Sequence, residues 1–398
     1  MCGGSRPAES AGTGSVLTPA PAAVGMRTVD AAGLPIGDGH PPRIMGVLNL
    51  SPDSPYEPSV FEEPAAAAEY AEGLVAEGAD IVDVGLESAN KRFAVRDADW
   101  ELDRLDLAVE AVERVERDAV FSLETRYAEV ADAALDGPFD AINDIAGFAD
   151  PRMPDVCAAH DAPVVKMAGP GDVTRPGAIE SVDDIYDALA DRLTDKTIVD
   201  PAFGGWSEAK TLADDRETFR RLREFRGLGR PILVSINRKN FLREVAGRST
   251  EDALPVSLAA TSMAVERGAH VIRTHDVAAT RDAALIGHAL GGHRERFRDD
   301  RIEELHVETA REARRHTERL GLDADPTAAV ARAFELSGLG DDALLFANVA
   351  RDAGAAVAVE DGRGFLAGPA AALERVATRL VDTDLDDVGV GIEAALSR

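Results

Sequence analysis

Eight short apolar runs in this 398-residue chain each end in, or carry, a residue able to bind or react. Asn49 follows the first, Glu87 and Ser88 the second, Glu124 and Thr125 the third, and Asn143 and Asp144 the fourth. The fifth holds Lys166. Asp200 closes the sixth, with Lys210 further on; Asn237, Arg238 and Lys239 follow the seventh; Arg273, His275 and Asp276 follow the eighth. The loops at the opposite ends ("EGAD", "RDA", "DGPF", "RGAH") read as plain connectors. Each polar residue also has a structural reading. Asn143–Asp144 fits a turn or cap, Asp200–Pro201 a loop opening, Glu124 an acid favoured by a helix dipole, Arg273 and His275 a salt-bridged scaffold, and Asn49 a turn brace. For those readings to win, all must coincide on one rim. Carboxylates, amides and cations gathered there point instead to an enzyme.

The elements that must position these residues follow from periodicity. Strands are expected at 43–48, 80–84, 119–123, 139–142, 163–167, 196–199, 231–235 and 270–273. Helices are expected at Pro64–Glu77, Arg104–Arg117, Arg126–Leu135, Val182–Leu193, Arg216–Glu224 and Ser257–Arg267. This β/α alternation predicts an α/β fold, a (β/α)8 TIM barrel, whose active site lies at the C-terminal strand ends. A doubly wound open sheet is the alternative, weakened because no G-x-G-x-x-G follows the first strand. Residues 1–25 read as a flexible tail or an over-called start, 26–292 as the barrel, and 293–398 as a small α/β appendage. In the appendage, Arg301–Leu320, Thr327–Leu336, Ala343–Ala353 and Ala371–Val381 are expected to be helical, with a hairpin turning at Asp361–Gly362. Its role is not legible.

The net charge is −29, and only five of the 43 cationic residues are lysine (Lys91, Lys166, Lys196, Lys210, Lys239). Such a surface repels nucleic acid and anionic membranes. It suits a halophilic protein, soluble where molar salt shortens the Debye length to about 3 Å. Two cysteines make no disulfide framework, and no apolar run reaches the ~18 residues of a membrane span. A cytoplasmic protein is expected. If lysine has been thinned from the surface, the survivors are informative. Lys91, Lys166, Lys210 and Lys239 all fall at or near the proposed rim, and Lys196 reads as surface.

The segments "IMGVLNLSPDS", "GADIVDVGLES", "INDIAGF", "VDPAFGG", "GRPILVSINRKNFL" and "GAHVIRTHDV" resemble the dihydropteroate synthase family over about residues 43–290. The resemblance implies transfer of 6-hydroxymethyl-7,8-dihydropterin from its diphosphate to p-aminobenzoate, with release of pyrophosphate. It implies that Asp200, Asn143 and Glu124 (where the family usually has Asp) read the pterin edge, with Lys239 along the ring. Arg273 and His275 would clamp the diphosphate, and Asn49 would lie near both diphosphate and Mg²⁺. Lys239, Asp200, Arg273 and His275 are the implied catalytic set, and a homodimer is implied. With so acidic a shell, the site is expected to be a local positive island of Lys239, Arg238, Arg273, His275 and Mg²⁺.

Departures from the family pattern cluster on the acceptor side. The strand-2 loop reads Glu87-Ser88-Ala89-Asn90-Lys91-Arg92 where the family has E-S-T-R-P-G, and Met167-Ala168 replaces Met-His. The stretch from Asp200 to Lys210 is irregular, and Glu57 stands for a loop-1 Asp. Glu87, Lys91 and Arg92 become the candidate acceptor-side residues. Three readings stay open at this point: the synthase itself, the same pterin donor with a ribofuranosylated aminobenzene phosphate acceptor, or a pterin-binding paralogue that is either without transferase activity or a methyl carrier.

Overall fold

The computed structural model describes residues 26–51, 59–87, 95–173, 179–204, 209–291 and 304–397. Lys91, Arg92, the tail 1–25 and most of the loop-1 and strand-6 loop departures lie outside them.

Eight parallel strands form the expected barrel: β3 (Arg43–Asn49), β4 (Ile81–Gly85), β5 (Val120–Thr125), β6 (Ala141–Asp144), β7 (Val164–Met167), β8 (Thr197–Asp200), β9 (Leu233–Ser235) and β10 (Val271–Thr274). They pair in the order β8-β7-β6-β5-β4-β3-β10-β9. The remaining seam is joined by a parallel bridge, Val199 to Ile232, with the Val199 N–H donating to Pro231 O at 2.9 Å. Helices α1 (Pro64–Glu77), α2 (Ala98–Glu113), α3 (Ala128–Leu135), α4 (Met153–Ala159), α5 (Val182–Ala190), α6 (Leu212–Arg220), α7 (Asn240–Ala246), α8 (Leu254–Glu266) and α9 (Val277–Leu290) follow the strands. Their ends have physical causes. Pro64 starts α1 at a position with no hydrogen-bond duty, and Gly78 ends it in the left-handed conformation. Thr211 and Asp214 make a capping box on α6.

A hairpin of β1 (Val29–Ala31) and β2 (Leu34–Ile36) precedes the barrel and plugs its N-terminal end. Val29, Ala31 and Ile36 pack on one inward side chain from every barrel strand: Met45, Ile81, Val120, Ala141, Val165, Ile198, Leu233 and Val271. Each larger aliphatic contributes roughly 1.5–3 kcal/mol by burial. Side chains alternate sides along a strand, so the next inward layer lies two residues on. It comprises Val47, Asp83, Ser122, Asn143, Met167, Asp200, Ser235 and Arg273. The interior therefore changes from wholly apolar to mostly polar within one layer, and this step is the floor of the site.

The C-terminal segment departs from its sequence reading in two places. Of the expected long helix Arg301–Leu320, the described residues 304–320 are helical only as α10 (Ala310–Arg319), because Thr309 caps it by accepting from the Glu312 N–H. Thr327–Leu336 is not helical. Pro326–Ala329 is a 3-10 turn, and Ala331–Leu336 is strand β11. Its alternating pattern pairs antiparallel with β13 (Arg363–Pro369), which also pairs with β12 (Ala356–Glu360). That pairing outweighs the helical propensity of "ARAFEL". Helices α11 (Ala343–Asp352), α12 (Ala370–Leu380) and α13 (Asp386–Leu396) cover one face of this sheet through Phe346, Leu366, Leu373, Val376 and Ile392. Helix α10 lies against the 3-10 helix Leu222–Leu228 and also reaches α5, where the Arg315 guanidinium sits 3.9 Å from the Tyr186 ring centroid and bonds Asp183 at 2.7 Å.

Candidate functional site at the barrel mouth

Asp83, Asn143, Asp200 and Arg273 stand in the polar layer of four different strands. Asp83 accepts the Arg273 Nε–H at 2.7 Å and the Asn143 Nδ2–H at 2.9 Å, both on Oδ2. Arg273 donates its Nη2–H to Glu124 Oε2 at 2.6 Å. Above them, a Cβ added to Gly85 would lie 3.5 Å from Asn49 Oδ1 and 4.0 Å from Glu124 Oε1, so these two side chains converge over the glycine. Asn49 donates its Nδ2–H to Ser59 Oγ at 2.6 Å, which turns its carbonyl oxygen to that side.

Across the mouth, Asp200 Oδ1 accepts the Ala202 N–H at 2.8 Å. Lys239 donates to Phe203 O at 2.7 Å, and Lys210 to Ala202 O at 2.7 Å. Lys210 also pairs with Asp215 at 3.3 Å, and Asp215 accepts the Gly204 N–H. Two lysines thus staple one loop. Gly204 has φ +123, and a Cβ there would sit 3.3 Å from Lys239 Nζ, so glycine clears the path of that side chain. Phe203 anchors the loop from below against Phe219 and Phe241.

Burial and neighbouring charge tune these groups. Burial would lower the Arg273 pKa, but Asp83 and Glu124 outweigh it and hold the guanidinium firmly charged. Burial raises Glu124 against the pull of Arg273, and raises Asp200 against its Ala202 N–H bond and Lys239. Lys239 is pushed down to about 8 by burial, opposed by Asp200. His275 is pushed down to about 4 by burial and by Arg273, so its imidazole is neutral at pH 7.

The positive island expected from sequence is therefore corrected. His275 is a neutral hydrogen-bonding group. Arg238 forks onto Asp276 at 2.9 and 3.0 Å and donates to Thr250 O and Glu251 O, bracing the loop. Among the described residues, Arg273, Lys239 and Lys210 are cations at the mouth; Asp215 pairs with Lys210, and Asp83, Glu124 and Asp200 offset the other two. Glu87 is committed to its own loop: one oxygen accepts the Arg96 N–H at 2.7 Å and the other pairs with buried Arg126 at 2.7 Å. Lys166 does not face the mouth either. It projects outward and donates to Ala188 O and Asp191 O, closing the C-terminal end of α5. Lys196 pairs with Asp161 away from the site.

Asp83, Ser122 and Ser235 are the polar residues of this layer that sequence reasoning missed. The signal was present. In "DIVDVG", Ile81, Asp83 and Gly85 share the inward face, and a carboxylate two residues past a core isoleucine is out of place in a plain barrel.

A family model described as "Pterin binding enzyme" matches residues 45–275. A Haloferax volcanii protein named a probable bifunctional folylpolyglutamate synthase/dihydropteroate synthase is 34% identical over 247 residues, covering 59% of this chain and 29% of its own length. The chain thus spans under a third of that relative. A Streptococcus pyogenes dihydropteroate synthase is 30% identical over 252 residues, covering 61% of this chain and 93% of its own. A solved Coxiella burnetii dihydropteroate synthase, in complex with pteroic acid, is 30% identical with a TM-score of 0.56, covering 67% of this chain and 98% of its own.

Proposed function

Because the chain belongs to the pterin-binding enzyme family, we propose that it is a dihydropteroate synthase. It joins 6-hydroxymethyl-7,8-dihydropterin diphosphate to an aminobenzoate and releases pyrophosphate. The observation that carries this reading is the set of oxygens left over by the internal bonds. Asn143 and Asp200 each use one side-chain polar atom on the protein. Asn143 Oδ1 and Asp200 Oδ2 remain as acceptors, and Glu124 keeps Oε1 beside its bond to Arg273. Three acceptors around one cavity suit the donor-rich amino-amide edge of a pterin.

Catalysis on this reading is electrostatic. Arg273 and the neutral His275 bind the diphosphate as charge collects on the departing oxygen. Asp200 and Glu124 stabilise the pterin as its methylene turns cationic, and the arylamine then attacks that carbon. Lys239, held along the cavity by Phe203 O, lies beside the ring. No group of three or more His, Cys, Asp or Glu suited to a metal occurs among the described residues. A hard oxygen donor is nevertheless present in Asn49 Oδ1. Mg²⁺ would bind there together with the diphosphate oxygens, adding charge neutralisation for the leaving group.

Among the described residues, no helix is long and apolar enough to cross a membrane, in keeping with a cytoplasmic enzyme. The exposed Met263 of α8 and Ile286 and Leu290 of α9 offer an apolar strip for a homodimer. Titration of the chain with the pterin diphosphate in molar KCl tests the donor half of the proposal. Saturable binding is expected that Arg273→Ala abolishes. Absence of binding by the unmodified chain refutes it.

A further inference from the structure

Arg273 is neutralised twice, and only one partner is needed for charge. Glu124 lies at the rim and already supplies a carboxylate at 2.6 Å. Asp83 is fully buried. An ionised carboxylate at that depth carries a heavy desolvation penalty, and a leucine there would simply extend the apolar layer below. What Asp83 adds is direction. It holds Nε of the guanidinium while Glu124 holds Nη2. Bonds to two nitrogens of a rigid planar fork fix its plane, which leaves Nη1 to face a ligand. The same Oδ2 takes the Asn143 Nδ2–H. An amide turns readily through half a rotation, and this bond fixes which end faces the cavity: Oδ1 as an acceptor.

We propose that Asp83 is a positioning residue that locks Arg273 and Asn143 into one geometry, so that the anion clamp and the ring-edge reader act as a unit. The proposal rests on the reading that the mouth binds a pterin diphosphate. Its two ends, heterocycle and diphosphate, would then be gripped by side chains sharing a single carboxylate oxygen. Asp83 Oδ1 is buried with no hydrogen-bond partner, and so is Oγ of Ser122, its register neighbour on β5. Asp83 thus spends its bonded oxygen wholly on Arg273 and Asn143.

The test is a double-mutant cycle read by titration with the pterin diphosphate, with thermal midpoints measured in parallel. Asp83→Asn keeps the volume and removes the charge. Arg273→Lys keeps the charge and removes the fork. Each is expected to weaken binding about 10- to 100-fold. The double variant is expected to bind within about threefold of the weaker single, because each change removes the same arrangement. KM for the arylamine should stay near the unmodified value. Binding by Asp83→Asn within threefold of the unmodified chain overturns the proposal. So does a double variant whose loss is the product of the two singles, the result a merely structural role gives. If Asp83→Asn does not fold, Arg273→Lys alone decides: a loss under threefold shows that charge without orientation suffices. If the unmodified chain does not bind the diphosphate, the functional reading falls and this inference with it. Binding by the unmodified chain separates the two failures.

Discussion

Replacing Arg273 with leucine should damage both function and stability, and the two losses should respond differently to pH. The guanidinium makes charge-assisted bonds of 2.7 Å to Asp83 and 2.6 Å to Glu124. Removing one partner of a buried ion pair costs about 3–5 kcal/mol when the other charge is left behind. Here Asp83 has no access to water and Glu124 little, so screening brings small relief. The relief comes from protonation. Burial already raises the Glu124 carboxyl to about 7 against the pull of Arg273, and losing the guanidinium raises it further. With its folded-state pKa above the unfolded one, this part of the penalty is absent below about pH 4, grows as pH rises, and is complete above the folded value. Thermal midpoints of the unmodified and Arg273→Leu proteins should lie far apart at pH 8 and approach each other at pH 5. Calorimetric titration at pH 8 should show the pterin diphosphate weakened by about 2–5 kcal/mol, at least about 30-fold. A midpoint difference constant from pH 5 to 8 would show that Glu124 is not left as a buried charge. Donor affinity within twofold would remove Arg273 from the site.

Three further outcomes are expected. Gly204→Ala forces a side chain onto a backbone at φ +123 and places it 3.3 Å from Lys239 Nζ; it should cost about 1–3 kcal/mol in chemical denaturation and weaken donor binding. Because Lys239 sits near pH 8 and is charged below that value, kcat/KM for the pterin diphosphate should fall as pH rises from 8 to 10. A flat profile there would mean that its charge plays no part. Lys166→Met removes the cation that closes α5; a lowered thermal midpoint with kcat/KM unchanged within about twofold is expected, whereas a large loss of kcat/KM in folded protein would return Lys166 to the site.

Much of this architecture was legible because barrel strands repeat a simple rule. The eight strand positions follow from apolar runs bounded by turn residues, and the polar strand ends mark the mouth. Directions within the site were harder to read. Lys166 sits in strand β7 among site-facing neighbours, yet its parity sends it outward to α5. Counting alternate residues from the core valine at 165 would have shown this. Asp83 was passed over for the converse reason: it lies inside a strand rather than at its end. Arg238 and Glu87 were read as free groups because sequence does not show that Asp276 and Arg126 already occupy them. In the C-terminal segment, "ARAFEL" has helical composition and became a strand because β13 offered a partner. Such a long-range pairing leaves no local trace.

Coupling of the pterin diphosphate to an arylamine yields two products, and measuring both together reads the reaction. The purified chain is incubated in molar KCl with Mg²⁺, the pterin diphosphate and p-aminobenzoate, while pyrophosphate and the coupled pterin–aminobenzoate product are quantified together. One pyrophosphate per product molecule, lost in Arg273→Ala, is the predicted result. Product only with the ribosyl phosphate form of the acceptor would keep the donor chemistry and reassign the amine. No pyrophosphate with either acceptor, from a folded chain that binds the diphosphate, would contradict a dihydropteroate synthase activity.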